Sequence, residues 1–352
     1  MLTWIELSKQ HIQSNLDLLR SKLGDAVLMA PAIKANAYGH GLLEMAHELV
    51  EHGVDWLSVY SITDAVTLRE TGITIPIVVM GYVEMEELKK TIDLDLILFV
   101  YDLERINVLD DLAKVQNTQA KIFIKFDSGM TRHGLVADDV KRYVKELKEF
   151  SNIAIEGIAT HFATSDLGAD DEHFELQLER TKLLLKEFEE EGITIKHVSA
   201  AKSSVILLHA QAHFDVARPG IAIYGLYPSD EVRREIEKGG EALKPVLSFK
   251  TRVVQIKAVG KGVKVGYSCS FETQRDSIIA ILPVGYYDGI DRRLGNTGHV
   301  LIAGKRAPII GRVCMNISIV DVTDIDSVQV YDEVVIIGRQ GGEEIMVDEI
   351  AS

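Results

Sequence analysis

The run Val27-Leu28-Met29-Ala30-Pro31-Ala32-Ile33-Lys34-Ala35-Asn36-Ala37-Tyr38-Gly39-His40-Gly41 carries an apolar segment straight into a lysine and then into a glycine-bracketed turn. Residues 42–52 follow with apolar side chains at Leu42, Met45, Ala46, Leu49 and Val50, the spacing of one helix face. Strand, turn and helix in that order make a βα unit. The same unit recurs outward along the chain. Further apolar runs fall at residues 55–60, 75–80, 94–100, 121–127, 153–160, 195–200 and 220–224, which with 27–34 makes eight. Several are nearly unbroken in Val, Ile, Leu and Phe, as strands buried on both faces require. Amphipathic stretches lie between them, among them residues 171–191 with Phe174, Leu176, Leu178, Leu183, Leu184, Leu185 and Phe188 among charges. The alternation predicts an α/β fold, a (β/α)8 TIM-like barrel; a doubly wound open sheet is the alternative on pattern alone.

The pattern changes after about residue 230. Short runs at 247–259, 277–282, 298–302, 307–312, 317–322 and 333–338 are separated by Gly, Asp and Asn turns, the signature of a smaller all-β domain. The expected organisation is a barrel over residues 8–230 and a β domain over 240–352, joined by an N-terminal strand within 1–7. Two folding units suit a chain of 352 residues, long enough to bury a core without staples.

The formal charge of −15 argues against a surface that tracks nucleic-acid phosphates. The two cysteines, Cys269 and Cys314, lack zinc-like spacing and suit free thiols in a reducing compartment. Met1-Leu2-Thr3-Trp4-Ile5-Glu6 shows no basic segment leading into an apolar run, and no apolar stretch reaches the ~20 residues of a membrane span. The expectation is a cytoplasmic protein with no nucleic-acid or membrane partner.

In a barrel, chemistry gathers at the C-terminal ends of the strands. Lys34 ends the first run there. A lysine at such a place is either a snorkelling surface residue or, if desolvated, an amine of lowered pKa able to form an imine. The fifth run ends in Lys125-Phe126-Asp127-Ser128-Gly129-Met130-Thr131-Arg132, bringing two more cations to the same mouth; Arg132 either grips an anionic oxygen or pairs with Asp127. His161 follows the sixth run, as a structural hydrogen-bonder or as part of a site. Ser203 and Ser204 read as the first turn of a helix, where capping and phosphate binding are both open. Arg218-Pro219-Gly220-Ile221 lie after the seventh run, where barrels commonly bind phosphate. The β domain adds Gly266-Tyr267-Ser268, Gly285-Tyr286-Tyr287-Asp288-Gly289 and Gly311-Arg312-Val313-Cys314-Met315-Asn316.

Taken together, in this order and spacing, these segments resemble the alanine racemase family of barrel-type, pyridoxal-phosphate (PLP) enzymes, almost end to end. The resemblance implies that Lys34 carries PLP and acts as one base. It makes Tyr267 the opposite base, supplied by the other subunit of a homodimer with shared active sites. Arg218 faces the pyridine nitrogen, and Tyr38, Ser203, Gly220, Ile221 and Tyr286 hold the phosphate. His161 bonds near the ring, Arg132 meets the phenolic oxygen, and Lys125, carbamylated in many relatives, positions Arg132. The Met315 backbone meets the carboxylate of a small amino-acid substrate. No metal is implied. Two departures stand out: Lys202 where the family usually has Asn, and Asn316 where it usually has Asp. Members commonly continue past the position of Ser352 by about two to three dozen residues, a loop and a strand in length. The implied reaction is L-alanine to D-alanine by two bases. A serine racemase, an amino-acid decarboxylase and a non-catalytic PLP carrier are the rival readings.

Overall fold

The computed structural model describes residues 1–136, 139–166 and 171–351; Ser352, the last residue of the expected β domain, lies outside them. The chain divides into two compact units, Lys9–Lys244 and a second formed by Met1–Ser8 with the chain from Pro245 onward. Strand β1 (Trp4–Leu7) belongs to the second unit.

The larger unit is built on eight parallel strands: β2 (Leu28–Met29), β3 (Leu57–Val59), β4 (Ile77–Val79), β5 (Ile97–Val100), β6 (Ala120–Lys125), β7 (Ile153–Ala159), β8 (His197–Ser199) and β9 (Val216–Ala217). β3 to β8 pair in sequence order, and β2 pairs with β9. Backbone bonds close the ring. Ile33 donates to Ser58 and Ser58 to Pro31 on one side of the β2–β9 pair; Asp215 donates to Val198 and Arg218 to Ala201 on the other. This is the TIM-like barrel, with Ala30, Val78, Ile97, Phe99, Phe123, Ala159 and Val216 packed in one core cluster.

Two of the sequence expectations need correction. Residues 220–224 are not the eighth strand. They form a 3-10 turn, Ile221–Tyr224, and Val216–Ala217 completes the barrel instead. Pro219 has no N–H to give a ladder, and the apolar character of Ile223 and Tyr224 reflects burial under the turn rather than pairing. Nor does the first ladder reach Lys34. It ends at Met29, with one further bridge between Ala32 and Ser58.

The second unit is antiparallel. β1 pairs with β10 (Leu247–Arg252), which pairs with β16 (Glu333–Gln340), then β13 (His299–Ile302) and β14 (Lys305–Pro308). A second sheet orders β11 (Gln255–Val259), β12 (Ser277–Leu282) and β15 (Ser318–Asp321). Side chains from both sheets, among them Val253, Ala280, Leu282, Val300, Val320 and Val334, make one buried core. The alternation read between residues 247 and 259 resolves into two strands that belong to different sheets.

Candidate active site

The barrel mouth holds a cavity of about 400 Å3 lined by residues from the ends of most of its strands. Lys34, Tyr38, Lys125, Arg132, His161, Ser203, Arg218, Gly220 and Ile221, expected from sequence, all line it. They bring two lysines and two arginines together, Lys202 adds a further amine, and no carboxylate is among the described lining residues.

Lys34 opens the short turn Lys34–Tyr38, in which Ala35, Asn36, Ala37 and Tyr38 all adopt left-handed backbone angles. Each such non-glycine residue costs about 1–2 kcal/mol, so the turn persists only because its surroundings enforce it. Asn36 Oδ1 accepts the Leu42 N–H at 2.9 Å, closing the turn onto the next helix. The Tyr38 ring lies 4.9 Å from that of buried Tyr224, whose hydroxyl donates to Ala32 O at 3.0 Å. The result is that the lysine amine and the Tyr38 ring project from one rigid turn, with Nζ 6.0 Å from the ring centre. Burial, and then the charges of Arg132 and Arg218, hold the Lys34 amine below the usual lysine range.

Arg218 is buried, yet fully directed. One guanidinium nitrogen donates to Thr160 O at 2.7 Å and the other bonds Ser199 Oγ, with the Phe99 ring 5.4 Å away. Burial first and Arg132 second bring its pKa down to about 10, so it remains cationic at neutral pH. Lys125, the last residue of β6, donates to Phe126 O at 3.1 Å. Its burial, reinforced by Arg218 and Arg132, lowers its pKa to about 7. Burial and the surrounding cations, Arg218 first, hold His161 neutral, well below its ordinary range.

Arg132 makes no ion pair among the described residues. Asp127 bonds its backbone instead. Asp127 Oδ1 accepts the N–H groups of Gly129, Met130 and Thr131 at 2.8–3.1 Å, and Oδ2 accepts that of Arg132 at 2.7 Å. Burial would raise this carboxyl, but the four N–H bonds outweigh it and hold it below the usual range. The loop is thus fixed by one carboxylate, and the guanidinium stays available to the cavity.

Ser203 begins the helix Ser203–Leu208, and its Oγ accepts the N–H groups of Gly220 and Ala222 at 3.0 and 3.2 Å. With both lone pairs engaged, its own proton is left to donate to a ligand. A Cβ on Gly220 would stand 2.7 Å from the Tyr38 hydroxyl, so the glycine keeps open a small space ringed by Ser203, Tyr38 and backbone. This donor set, rich in cations and free of carboxylates among the described residues, fits a group carrying a phosphate and a second anionic oxygen, as PLP does.

The remaining expected residues lie in the other unit. Tyr267 opens a 3-10 turn and is 69% exposed; Tyr286 opens another, and Met315 is exposed. Backbone beside Tyr267 and Tyr286 packs against the segment from Gly311 to Met315. A Cβ at Gly311, whose φ is +73°, would meet Val265 O at 3.1 Å, and one at Gly285 would meet Cys314 O at 2.2 Å. Tyr286 and Tyr287 donate to Cys314 O and Met315 O, each at 3.0 Å. Cys269 and Cys314 are free thiols. No helix among the described residues is long and apolar enough to cross a membrane.

Sequence reasoning missed Thr160, Ser199, Phe99 and Tyr224. Each supports a site residue through a backbone carbonyl, a small hydroxyl or a ring face, and none departs from an ordinary strand or core composition.

A β/α barrel whose mouth holds a lysine-bearing turn among further cations fits a PLP-binding enzyme of the barrel class. Family models bear this out: residues 7–228 match the alanine racemase N-terminal domain and 246–352 the C-terminal domain. The chain is 40% identical over 352 residues to alanine racemase 2 of Caldanaerobacter subterraneus, covering 99% of this chain and 89% of that one. It is 39% identical to the alanine racemase of Methanococcus maripaludis, with coverage of 99% and 92%. Among solved structures, alanine racemase of Clostridium difficile 630 superposes with a TM-score of 0.92 at 32% identity, covering 100% of this chain and 90% of that one. The Bacillus anthracis enzyme with bound L-Ala-P gives 0.92 at 34% identity, with coverage of 99% and 89%. The chain belongs to the alanine racemase family, and is a PLP-dependent amino-acid racemase.

Proposed function

We propose that the chain interconverts L- and D-alanine with two bases, Lys34 on one face of the substrate and Tyr267 on the other. Tyr267 comes from a second copy of the chain, in a homodimer with shared active sites. The observation that carries this reading is the half-buried Lys34 amine, its pKa lowered by burial and two arginines, at the edge of a cationic cavity.

Lys34 would bear PLP covalently, and Tyr38, Ser203, Gly220, Ile221 and Tyr286 would hold its phosphate. Arg218 would face its ring nitrogen, His161 its ring edge and Arg132 its phenolic oxygen. Bound PLP supplies an electron sink for the pair left on the substrate Cα. Lys34 Nζ takes a proton as the neutral amine or returns one as the ammonium on one face; Tyr267 Oη takes one as phenolate or returns one as phenol on the other. Taking from one side and giving on the other inverts the centre. Lysine is a weak base at neutral pH unless tuned, and the arginines beside Lys34 provide that tuning for its amine. Arg132 and the Met315 backbone would hold the substrate carboxylate.

Lys125, at a pKa of about 7, is half neutral near pH 7. A neutral amine adds to CO2 and releases a proton, giving a carbamate, and this is the form we assign to it. The product would be an anion set to orient Arg132. Of the two units, Lys9–Lys244 binds the cofactor, and the β unit supplies Tyr267. A D-alanine-forming enzyme of this kind works in the cytoplasm.

The test is incubation with PLP and each L-amino acid in D2O, followed by chiral analysis. Alanine should gain deuterium at Cα as its enantiomer appears. Faster turnover of serine would overturn the substrate assignment, since one hydroxyl is weakly rejected by a small pocket. Release of CO2, or no deuterium at all, would overturn the racemase reading for this chain.

A further inference from the structure

One buried amide of the barrel's outer layer is committed wholly to the mouth. The helix Glu172–Glu190 turns Phe174, Leu178, Thr181, Leu184 and Phe188 inward, and Gln177 sits within that stripe with no exposed surface. A buried amide left unpaired costs about 1–3 kcal/mol, but this one is paired throughout. Gln177 Nε2 donates to Ser128 Oγ at 2.9 Å and to His161 O at 3.1 Å, and Oε1 accepts the Ala163 N–H at 2.7 Å. Ser128 Oγ in turn shares a 2.8 Å hydrogen bond with Thr160 Oγ1, and Thr160 O accepts from Arg218 at 2.7 Å.

We propose that Gln177 is a positioning residue for the reaction. Its amide ties the segment after β6, which bears Arg132, to the segment after β7, which bears His161, and reaches Arg218 through Ser128 and Thr160. An apolar side chain would fill the same space but leave the Ala163 N–H and the His161 carbonyl without these bonds. What the amide adds is direction: three bonds of set geometry, each ending on a segment that lines the cavity. Misplacement of such groups by about 1 Å costs on the order of 100-fold in rate. The inference rests on the cavity being the reaction site, and its readouts separate the two.

The test compares holoenzyme variants Gln177→Met and Thr181→Val. Thr181 lies one turn further on and donates only to Gln177 O at 2.7 Å, within the helix. Both variants lose buried hydrogen bonds, and both should melt lower. Gln177→Met should lower kcat roughly 10- to 100-fold with KM changed far less, and should alter the visible circular dichroism of bound PLP. Thr181→Val should keep the wild-type kcat and spectrum. Equal kcat in the two variants, or an unchanged PLP spectrum in Gln177→Met, would reduce Gln177 to a stabilising residue and end the proposal. If Gln177→Met fails to fold, Gln177→Glu is read the same way. It keeps the length and the acceptor and loses the amide donors. A wild-type protein that binds PLP but does not racemise would instead sink the function assigned above, while the spectral comparison would still stand.

Discussion

Lys34 shows how the site tunes a side chain. Its amine is lowered first by desolvation and then by Arg132 and Arg218. A lowered pKa means that the neutral base persists to lower pH. Removing a positive neighbour works in the opposite sense. Arg132→Gln should therefore move the acid limb of the kcat profile, which reports the amine set free in the substrate complex, to higher pH, alongside a direct loss of substrate affinity. A pH–rate series on both proteins checks this, and a limb that stays put would detach Arg132 from the base. Lys34→Ala should abolish turnover, whereas Tyr267→Phe should abolish racemisation in both directions, since a catalyst cannot slow one direction alone, while still exchanging the Cα proton of the one enantiomer that Lys34 faces. Arg218 remains a cation at a pKa of about 10, which discourages protonation of a ring nitrogen beside it. Arg218→Glu should accordingly raise transamination by-products, measured as keto acid released per racemisation event. For Lys125, carbamate should form as pH rises through about 7, because only the neutral amine reacts. Carbon-13 NMR with labelled bicarbonate would show the signal, and its absence in Lys125→Met identifies the residue.

At the scale of elements, the site depends on turns more than on strands. The barrel ladders stop at Met29, Lys125, Ala159, Ser199 and Ala217, and most of the groups that face the cavity project from the turns and loops beyond those residues. Each turn is held by a different device: a left-handed run locked by Asn36, a loop gathered by Asp127, a Ser203 hydroxyl accepting two backbone N–H groups. The Gly220 position offers a direct test. A methyl there would press on the Tyr38 hydroxyl, so Gly220→Ala should weaken PLP binding by roughly tenfold, about 1.4 kcal/mol. Titration of the apoprotein by absorbance measures it, and little change would remove Tyr38 and Gly220 from the phosphate cradle. The βα periodicity of these elements was plain in the sequence. The turns were not: Ile221–Tyr224 has the composition of a strand, and four left-handed residues in Ala35-Asn36-Ala37-Tyr38 carry no glycine to announce them.

For the whole molecule, the proposed assembly makes a sharp claim. If each site pairs Lys34 of one chain with Tyr267 of its partner, mixed dimers of Lys34→Ala and Tyr267→Phe contain one intact site and one doubly impaired site. Mixing the two inactive proteins, with exchange of subunits, should restore on the order of a quarter of wild-type racemisation. No restoration after verified exchange would place both bases in one chain and overturn the shared-site reading.

What the sequence by itself determined was the architecture and the residue types. Periodicity records which side chains must be buried, and that requirement is local enough to read along the chain. It also marked Lys34, Lys125, Arg132, His161 and Arg218 as groups out of place beside apolar runs. Only the tertiary structure decided what each of them does electrostatically. Asp127 binds backbone rather than the Arg132 guanidinium, and Gln177 joins segments 49 residues and 16 residues away along the chain. The physical reason is that a pKa, or a hydrogen bond across a barrel, depends on neighbours in space that no spacing in sequence specifies.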